Sequence, residues 1–548
     1  MTGTGFDPED GWTELTPSAD TQRIYVSSST GDDANDGLSP EKAVKTVAAG
    51  IKLLRNNHPD WLLLKRGDVW NNQSLGRWQK SGKSLSEPMV ISYYGDVSQP
   101  RPLLETGNAN ALTTYDSPST IKPINYIAVV GLHFYADKHD PASPTYDSTL
   151  KGNEGIRWLT KTDGLLIEDV ELEYYTGNIT VQGAADKPIT NVKVRRSVVA
   201  NAYNLDLSGY GHSEGIYASF IDGLLIEENV FDHNGWHPTV PKGYATIFNH
   251  NMYIQADCAH VVVQGNITAR ASSHGMQVRP GGVVKDNLFV RDPLAMSFGL
   301  VLGEHESTPD GVTGEVSGNV VIEGNDIADT ASLHRGYGIS VGNIKSATVH
   351  DNLLAHNVSA STGSGAALQF SDGNFGVGLS GLVVSDNVVY DWHGGMQFDS
   401  SFKNSLDSMN HPVVYHSVTI KDNALQIPGS SGFLAIGLSN TIPSGVHFSG
   451  NDYHRGGSNT GNWFSTKSGA QSFMQWIGAV GETGASSTTI HYKAPDRTLG
   501  DYHASLGKAA TLDAYLAEAR KQARGHYRYA YTAKAAAEYI RDGFSIVP

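Results

Sequence analysis

Leu225-Ile226-Glu227-Glu228-Asn229-Val230-Phe231 carries the pattern that decides the fold: an apolar pair, two polar positions, an asparagine, then a second apolar pair. It recurs as Val262-Val263-Gln264-Gly265-Asn266-Ile267 and as Val283-Val284-Lys285-Asp286-Asn287-Leu288-Phe289. Val321-Ile322-Glu323-Gly324-Asn325 reads as a further copy, and others end on Asn352, Asn387, Asn423 and Asn451. Weaker early copies place Asp169 and Ser197 at the marker position, with Gly131 before them. Constant strand pairs separated by loops of unequal length mark a solenoid, in which each coil buries its apolar face against the next. Asparagine tolerates the left-handed backbone region and so suits a sharp turn between two strands. Stacked coils also bring successive asparagines to about 4.8 Å, where their amides form ladders. The expected architecture is all-β, a right-handed parallel β-helix of roughly ten coils.

A second strand follows each marker, as a glycine or asparagine and then alternating apolar residues. It reads Glu214-Gly215-Ile216-Tyr217-Ala218-Ser219, His250-Asn251-Met252-Tyr253-Ile254-Gln255 and His274-Gly275-Met276-Gln277-Val278-Arg279, then returns around Ile339 and Met396. With period two, Ile216, Met252, Met276, Ile339 and Met396 face inward and their neighbours face out. The ends differ from this middle. Ser39, with Pro40 after it, reads as the N-cap of a helix to about Leu54 that covers the open first coil. Thr511 and Thr532 read as N-caps of two C-terminal helices, the second ending at Gly543, that cap or pack on the far end. The expected division is an N-terminal segment with capping helix over 1–60, the β-helix over 61–455, and a C-terminal extension with capping helices over 456–548.

Composition removes several functions. The net charge of -16 lacks the basic footprint that nucleic acid demands, although a local basic strip still suits a polyanionic sugar. Cys258, the one cysteine, sits in an apolar run and reads as core, so neither a disulfide nor a thiolate cluster is available. No apolar run is long enough to span a membrane. Met1-Thr2-Gly3-Thr4-Gly5 lacks the features of a signal peptide. Either the protein is not secreted or such a peptide has been removed, and the expectation taken forward is a secreted or periplasmic protein.

The run from Ile24-Tyr25-Val26-Ser27 through Gly31-Asp32-Asp33-Ala34-Asn35-Asp36-Gly37 to Ser39-Pro40 resembles the opening of pectate-lyase-like β-helix proteins. Leu64-Lys65-Arg66-Gly67-Asp68-Val69-Trp70 and Ile91-Ser92-Tyr93-Tyr94-Gly95 resemble the segments that follow it there. With the coil motifs the resemblance covers residues 23–455, and the tail around Trp476 and Gly500-Asp501-Tyr502 is similar to tails on bacterial members. It implies a protein that meets a polysaccharide or oligosaccharide. The superfamily holds lyases, uronan epimerases, glycoside hydrolases and transferases, and phage spikes, so it selects no reaction and transfers no catalytic motif.

The residues themselves point to one strip. Aligning the second strands stacks Glu214, His250 and His274; then Tyr217, Tyr253 and Gln277; then Ser219, Gln255 and Arg279, with about 4.8 Å between rungs. A flat strip of this kind suits β-elimination or C5 epimerisation of a uronic acid, which needs a neutralised carboxylate, a base and a proton donor. Arg279, helped by Gln277 or Gln255, takes the carboxylate; His250 or His274 takes the C5 proton; Tyr253 donates. Glu214, Tyr217, Gln255 and Gln277 hold the sugar, with Trp236 and His237 supplying a subsite from the loop Asp232–His237. No cofactor is firmly expected, though Glu214, His250 and His274 have the donor types for a divalent cation such as calcium. The alternatives are a glycoside hydrolase or transferase, drawing a second carboxylate from Asp206, Asp232, Glu304 or Asp399, and a non-catalytic, spike-like glycan binder.

Overall fold

Three parallel sheets run the length of the chain in the computed structural model, which describes residues 11–114, 123–205, 212–299, 311–323, 336–357, 365–371, 378–398, 414–427, 433–438, 445–456, 461–466 and 469–547. The backbone visits them in turn. Ile221–Glu227 lies in the first sheet, Val230–Asp232 in the second and His250–Ile254 in the third, before Ala259–Gln264 returns onto Ile221–Glu227. The chain is a right-handed parallel β-helix, the hand expected of parallel crossovers. The sheets hold sixteen, thirteen and fourteen strands, so the solenoid has more coils than the asparagine markers alone reveal. Apolar residues stack inside in register, as in the column Ile216, Met252, Met276, Met296 and Ile339.

At the turn from first to second sheet, Asn229 Nδ2 donates to Asn266 Oδ1 at 2.9 Å, Asn266 to Asn287 at 3.0 Å and Asn287 to Asn319 at 3.0 Å. The chain of amides continues through Asn352, Asn387 and Asn423 to Asn451. Each oxygen also accepts the backbone N–H of the preceding rung, at 3.0 Å between Asn266 and Asn287. Glu482 ends the ladder by accepting from Asn451 at 2.7 Å, and Ser197 begins it. Two expectations shift by a residue or more. The left-handed residue is the one before each asparagine, as at Glu228 (φ 54°), Gly265 (64°), Asp286 (57°) and Asp351 (55°), which leaves the asparagine free to bond upward and downward. Gly131 and Asp169 therefore occupy the left-handed position, and the register puts Leu132 and Val170 level with Ser197. The rung after Asn287 is Asn319; Asn325 lies outside the described residues.

A second ladder sits at the entry to the third sheet. Asn178 donates to Asn234 at 2.9 Å, Asn234 to Asn251 at 2.9 Å and Asn251 to Thr268 at 2.8 Å. Thr268 then donates to Asp292 at 3.2 Å. Burial pushes the Asp292 carboxyl up to about 8, so it keeps its proton at neutral pH.

The ends are built differently from expectation. Pro40–Lys42 is a short 3-10 turn, and the helix proper is Val47–Leu53, capped by Thr46 rather than Ser39. It lies on Val26, Val44 and Leu62, where a Cβ on Gly50 would come within 2.6 Å of Val26. Thr511 and Thr532 do cap Leu512–Ala519 and Ala533–Gly543. A further helix, Phe473–Val480, closes the far end with Trp476 buried in the main core. The last helices do not cap that end. They fold back along the second sheet, packing Leu499, Tyr515, Leu516 and Ile540 on Val230, Ile267, Leu288 and Val320. The first sheet's outer face meets Leu15 of the N-terminal segment at Trp61, Leu63, Val90 and Ala128. Neither segment covers the third sheet, which is left to the loops beside it. Among the described residues no helix is long and apolar enough to cross a membrane.

Asn287→Ala removes the acceptor of two Asn266 donors, the backbone N–H and Nδ2, and the donor to Asn319 Oδ1. At about 1–3 kcal/mol for each buried group left unmade, it is expected to lower the denaturant midpoint far more than Lys285→Ala on the same turn. Asp292 gives a pH signature. A carboxyl whose folded pKa is raised stabilises fully below its unfolded value near 4, and that contribution is lost at about 1.4 kcal/mol per pH unit up to about 8. Asp292→Asn should match the wild type at pH 4 and exceed it at pH 8 in urea unfolding. A wild type whose midpoint is flat across that window would contradict this role.

Candidate functional site on the third sheet

Strict alternation would turn Glu214 and His250 toward the core with Ile216 and Met252. A local break prevents this. Asn251 and Met252 both point inward, the first into the second ladder and the second into the core, so His250 and Tyr253 emerge on the same outer side. Their rings accordingly lie 4.9 Å apart. The register then stacks Glu214 on His250 on His274, and Tyr217 on Tyr253 on Gln277, as the sequence suggested.

The strip is not flat and open. Glu214 is 4 % exposed and His250 3 %, with His274, Gln277, Gln255 and Arg279 also buried. Glu214 Oε2 accepts the His250 backbone N–H at 2.7 Å and faces His250 Nδ1 at 3.1 Å. Glu214 Oε1 is buried with no hydrogen-bond partner. Burial holds the Glu214 carboxyl well above the usual carboxylate range. The same burial, with Arg279 nearby, pushes the His250 imidazole down to about 3. His250 is thus a neutral imidazole beside that carboxyl, poorly suited to the base role expected of it. His274 stands 4.8 Å from His250, with Nδ1 at 3.2 Å from Ser273 Oγ.

Tyr217 and Tyr253 meet edge to face at 5.5 Å, and the Arg279 guanidinium lies 4.9 Å over the Tyr253 ring. Gln255 donates to the Tyr253 hydroxyl at 3.1 Å and accepts from Arg279 at 3.4 Å. Burial pushes the Tyr253 phenol up to about 12, which suits an aromatic platform better than a proton donor. Ser297, Ser340, Gln369 and Gln397 continue this column downstream, and Thr180, Arg157, Thr113 and Arg77 continue it upstream.

Several expected participants belong elsewhere. Trp236 donates to Arg270 O at 2.9 Å and packs on Ala245, while His237 lies 5.1 Å from Tyr203, itself stacked on His139 at 4.0 Å. Both belong to a loop wall of aromatic rings. Asp232 is held by Arg270 and Arg520, each at 2.6 Å, and is pulled down to about 2 by those cations, so it fastens the C-terminal helices. Asp206, Glu304 and Asp399 lie outside the described residues. Cys258 is core, with burial pushing its thiol up to about 12. Glu214, His250 and His274 do not converge as metal ligands. Among the described residues the convergent trio is His133, Glu171 and Glu173 on the second sheet, and there Arg101 at 3.1 Å and Arg520 at 4.0 Å already balance the carboxylates.

Sequence reasoning passed over Glu154. Glu154-Gly155-Ile156-Arg157 repeats the form of Glu214-Gly215-Ile216-Tyr217, and that likeness was the available signal.

No protein-family profile matches the chain. A lacto-N-biosidase of Bifidobacterium longum subsp. longum is 29% identical over 328 residues, which cover 48% of this chain and 20% of that protein. The chain thus spans about a fifth of that relative's length. Among solved structures, a GH136 lacto-N-biosidase from Eubacterium ramulus aligns with a TM-score of 0.36 at 14% identity, over 79% of this chain and 64% of that one. The tailspike protein of E. coli bacteriophage HK620, in complex with a pentasaccharide, aligns with a TM-score of 0.48 at 12% identity, over 85% and 78%.

If the tyrosine pair is a sugar platform, Tyr253→Ala raises KM for an oligosaccharide by roughly 10-fold, the size of a lost stacking contact of about 1–1.5 kcal/mol. An unchanged KM alongside a collapsed kcat would instead mark Tyr253 as a participant in the chemistry.

Proposed function

We propose that this protein is a glycoside hydrolase acting on an oligosaccharide or polysaccharide held along the third sheet, with Glu214 as the general acid. One observation carries the reading. A carboxyl that burial holds well above the usual carboxylate range, beside a neutral imidazole and an aromatic platform, suits protonation of a glycosidic oxygen. The likeness to a stretch of a lacto-N-biosidase supports the same class. Proton abstraction from a uronic acid, with elimination or epimerisation, fits less well. Of the two bases expected for it, His250 and His274, the first has an affinity for a proton far below that of an ordinary imidazole.

The experiment is a panel of neutral, acetamido and uronic-acid glycans, followed by reducing-end release and by absorbance of unsaturated uronate. Reducing ends without that absorbance are expected, and appearance of the band would replace hydrolysis with elimination. Glu214→Gln should lower kcat by roughly 10²–10⁴-fold without shifting the thermal midpoint. The wild-type rate should fall as pH rises through the elevated Glu214 pKa, because the acid must be protonated to act.

A further inference from the structure

We propose that Glu154 is the second catalytic carboxylate of this site, acting with Glu214 from across the Gly177 rung so that hydrolysis inverts the anomeric centre. The inference rests on the hydrolase reading above.

Register places the two residues. Ile156 pairs with Ile179 and Ile179 with Ile216, and the parallel bonding extends back through Gly155 N–H to Gly177 O and Asn178 N–H to Glu214 O. One residue further back, Glu154, Gly177 and Glu214 stand in a single column. Gly155 points inward, since a Cβ there would meet Leu172 and Tyr175 at 3.0 and 3.1 Å, and Glu154 therefore points out, as Glu214 does. Arg157 reaches back to Glu154 Oε1 at 2.9 Å, just as Tyr253 stands beside His250 one turn of the pattern later. The backbones of the two glutamates are two strand spacings apart, roughly 9.6 Å, and their side chains set the carboxyl separation from that starting point. Carboxyl groups in inverting glycosidases stand about 6.5–9.5 Å apart, against about 5–5.5 Å in retaining ones. Adjacent rungs, at about 4.8 Å, would have suited retention.

The residue between them is the informative one. Gly155, Gly215 and Gly275 are glycines because a Cβ would fall 2.4 to 2.5 Å from a neighbouring atom. Gly177 has no such reason. Its φ is not positive, and a Cβ there would lie in ordinary contact with Glu214 O at 3.9 Å and with Glu154 Cγ and Thr180 Oγ1 at 4.0 Å. A side chain would be tolerated there, yet none is present to stand between the two glutamates. Each glutamate also keeps one buried oxygen with no hydrogen-bond partner, Oε2 of Glu154 and Oε1 of Glu214. An unmade hydrogen bond at a buried polar atom costs about 1–3 kcal/mol, and a sugar oxygen or a water bound here would relieve it at both atoms.

The reaction balances on these groups. The Glu154 carboxylate, beside Arg157 Nε at 2.9 Å, accepts a proton from a water as that oxygen bonds to the anomeric carbon. The glycosidic C–O bond breaks on the opposite face, and Glu214 gives its proton to the departing oxygen. Proton exchange with solvent restores both groups.

The test uses the full chain and aryl glycosides of the sugar that the panel identifies. Proton NMR of the first-formed product should show the anomer opposite to the substrate. Glu154→Gln should lose roughly 10²–10⁴-fold in kcat whatever the leaving group, while the loss in Glu214→Gln shrinks as the leaving group improves. Retention by the wild type, or a Glu154→Gln enzyme near wild-type kcat, overturns the pair and leaves the hydrolase reading standing. No hydrolysis of any glycan by the wild type removes that reading and the pair with it.

Discussion

A carboxamide can accept two hydrogen bonds through its oxygen while its nitrogen donates to a second rung and to the backbone, and the coils from Asn229 to Asn451 lean on that capacity. Asn287 shows the full set, donating to Val263 O, Lys285 O and Asn319 while accepting from the amide and side chain of Asn266. A slip of one residue would break all of these at once in a buried turn, so the ladder pins register. Because the amides donate toward the C-terminus, the last rung must meet an acceptor, and Glu482 meets it. The residues before the rungs take the left-handed turn, and this division of labour keeps the asparagine side chain free.

Register pinned at one corner is register pinned on every face. The outward columns of the third sheet inherit it, and their chemistry comes in steps of one strand spacing, about 4.8 Å. Groups one rung apart touch, as Glu214 and His250 do. Groups two rungs apart, as Glu154 and Glu214 are, have one further residue between them in the column. A solenoid can therefore set the spacing of its outward groups by choosing rungs.

The solenoid was legible because its signal is repeated and local, and the caps at Thr511 and Thr532 because a hydroxyl and the backbone three residues on decide them. Where those helices would lie was not legible, since it depends on an outer stripe of Val230, Ile267 and Leu288 contributed by distant coils. The columns through Glu214 and Tyr217 followed from aligning inward Ile216 with Met252 and Met276. Their burial did not, because alternation reports direction and says nothing of the loops alongside. Glu154 escaped for a definite reason. Its coil reaches the marker turn with Val170 rather than asparagine, so it was never aligned with the others. Trp236 and His237 looked like substrate contacts because loops often serve that end, whereas here the loop's rings are spent on one another.

The returning C-terminal helices change how such a molecule can come apart. Arg541 reaches the carbonyls of Asn319 and Asp351, Asp513 meets Arg270, Arg520 meets Asp232 and Gln522 meets Arg101, and at the far extremity Tyr527 packs against Trp12. A bare stack of coils behaves like a zipper that frays from whichever end is weaker. Here the tail is laced lengthwise over the teeth and fastened near the opposite mouth. Opening either end means first peeling a seam that crosses the middle coils, so partial unravelling gains little entropy before most of the lacing has been lost.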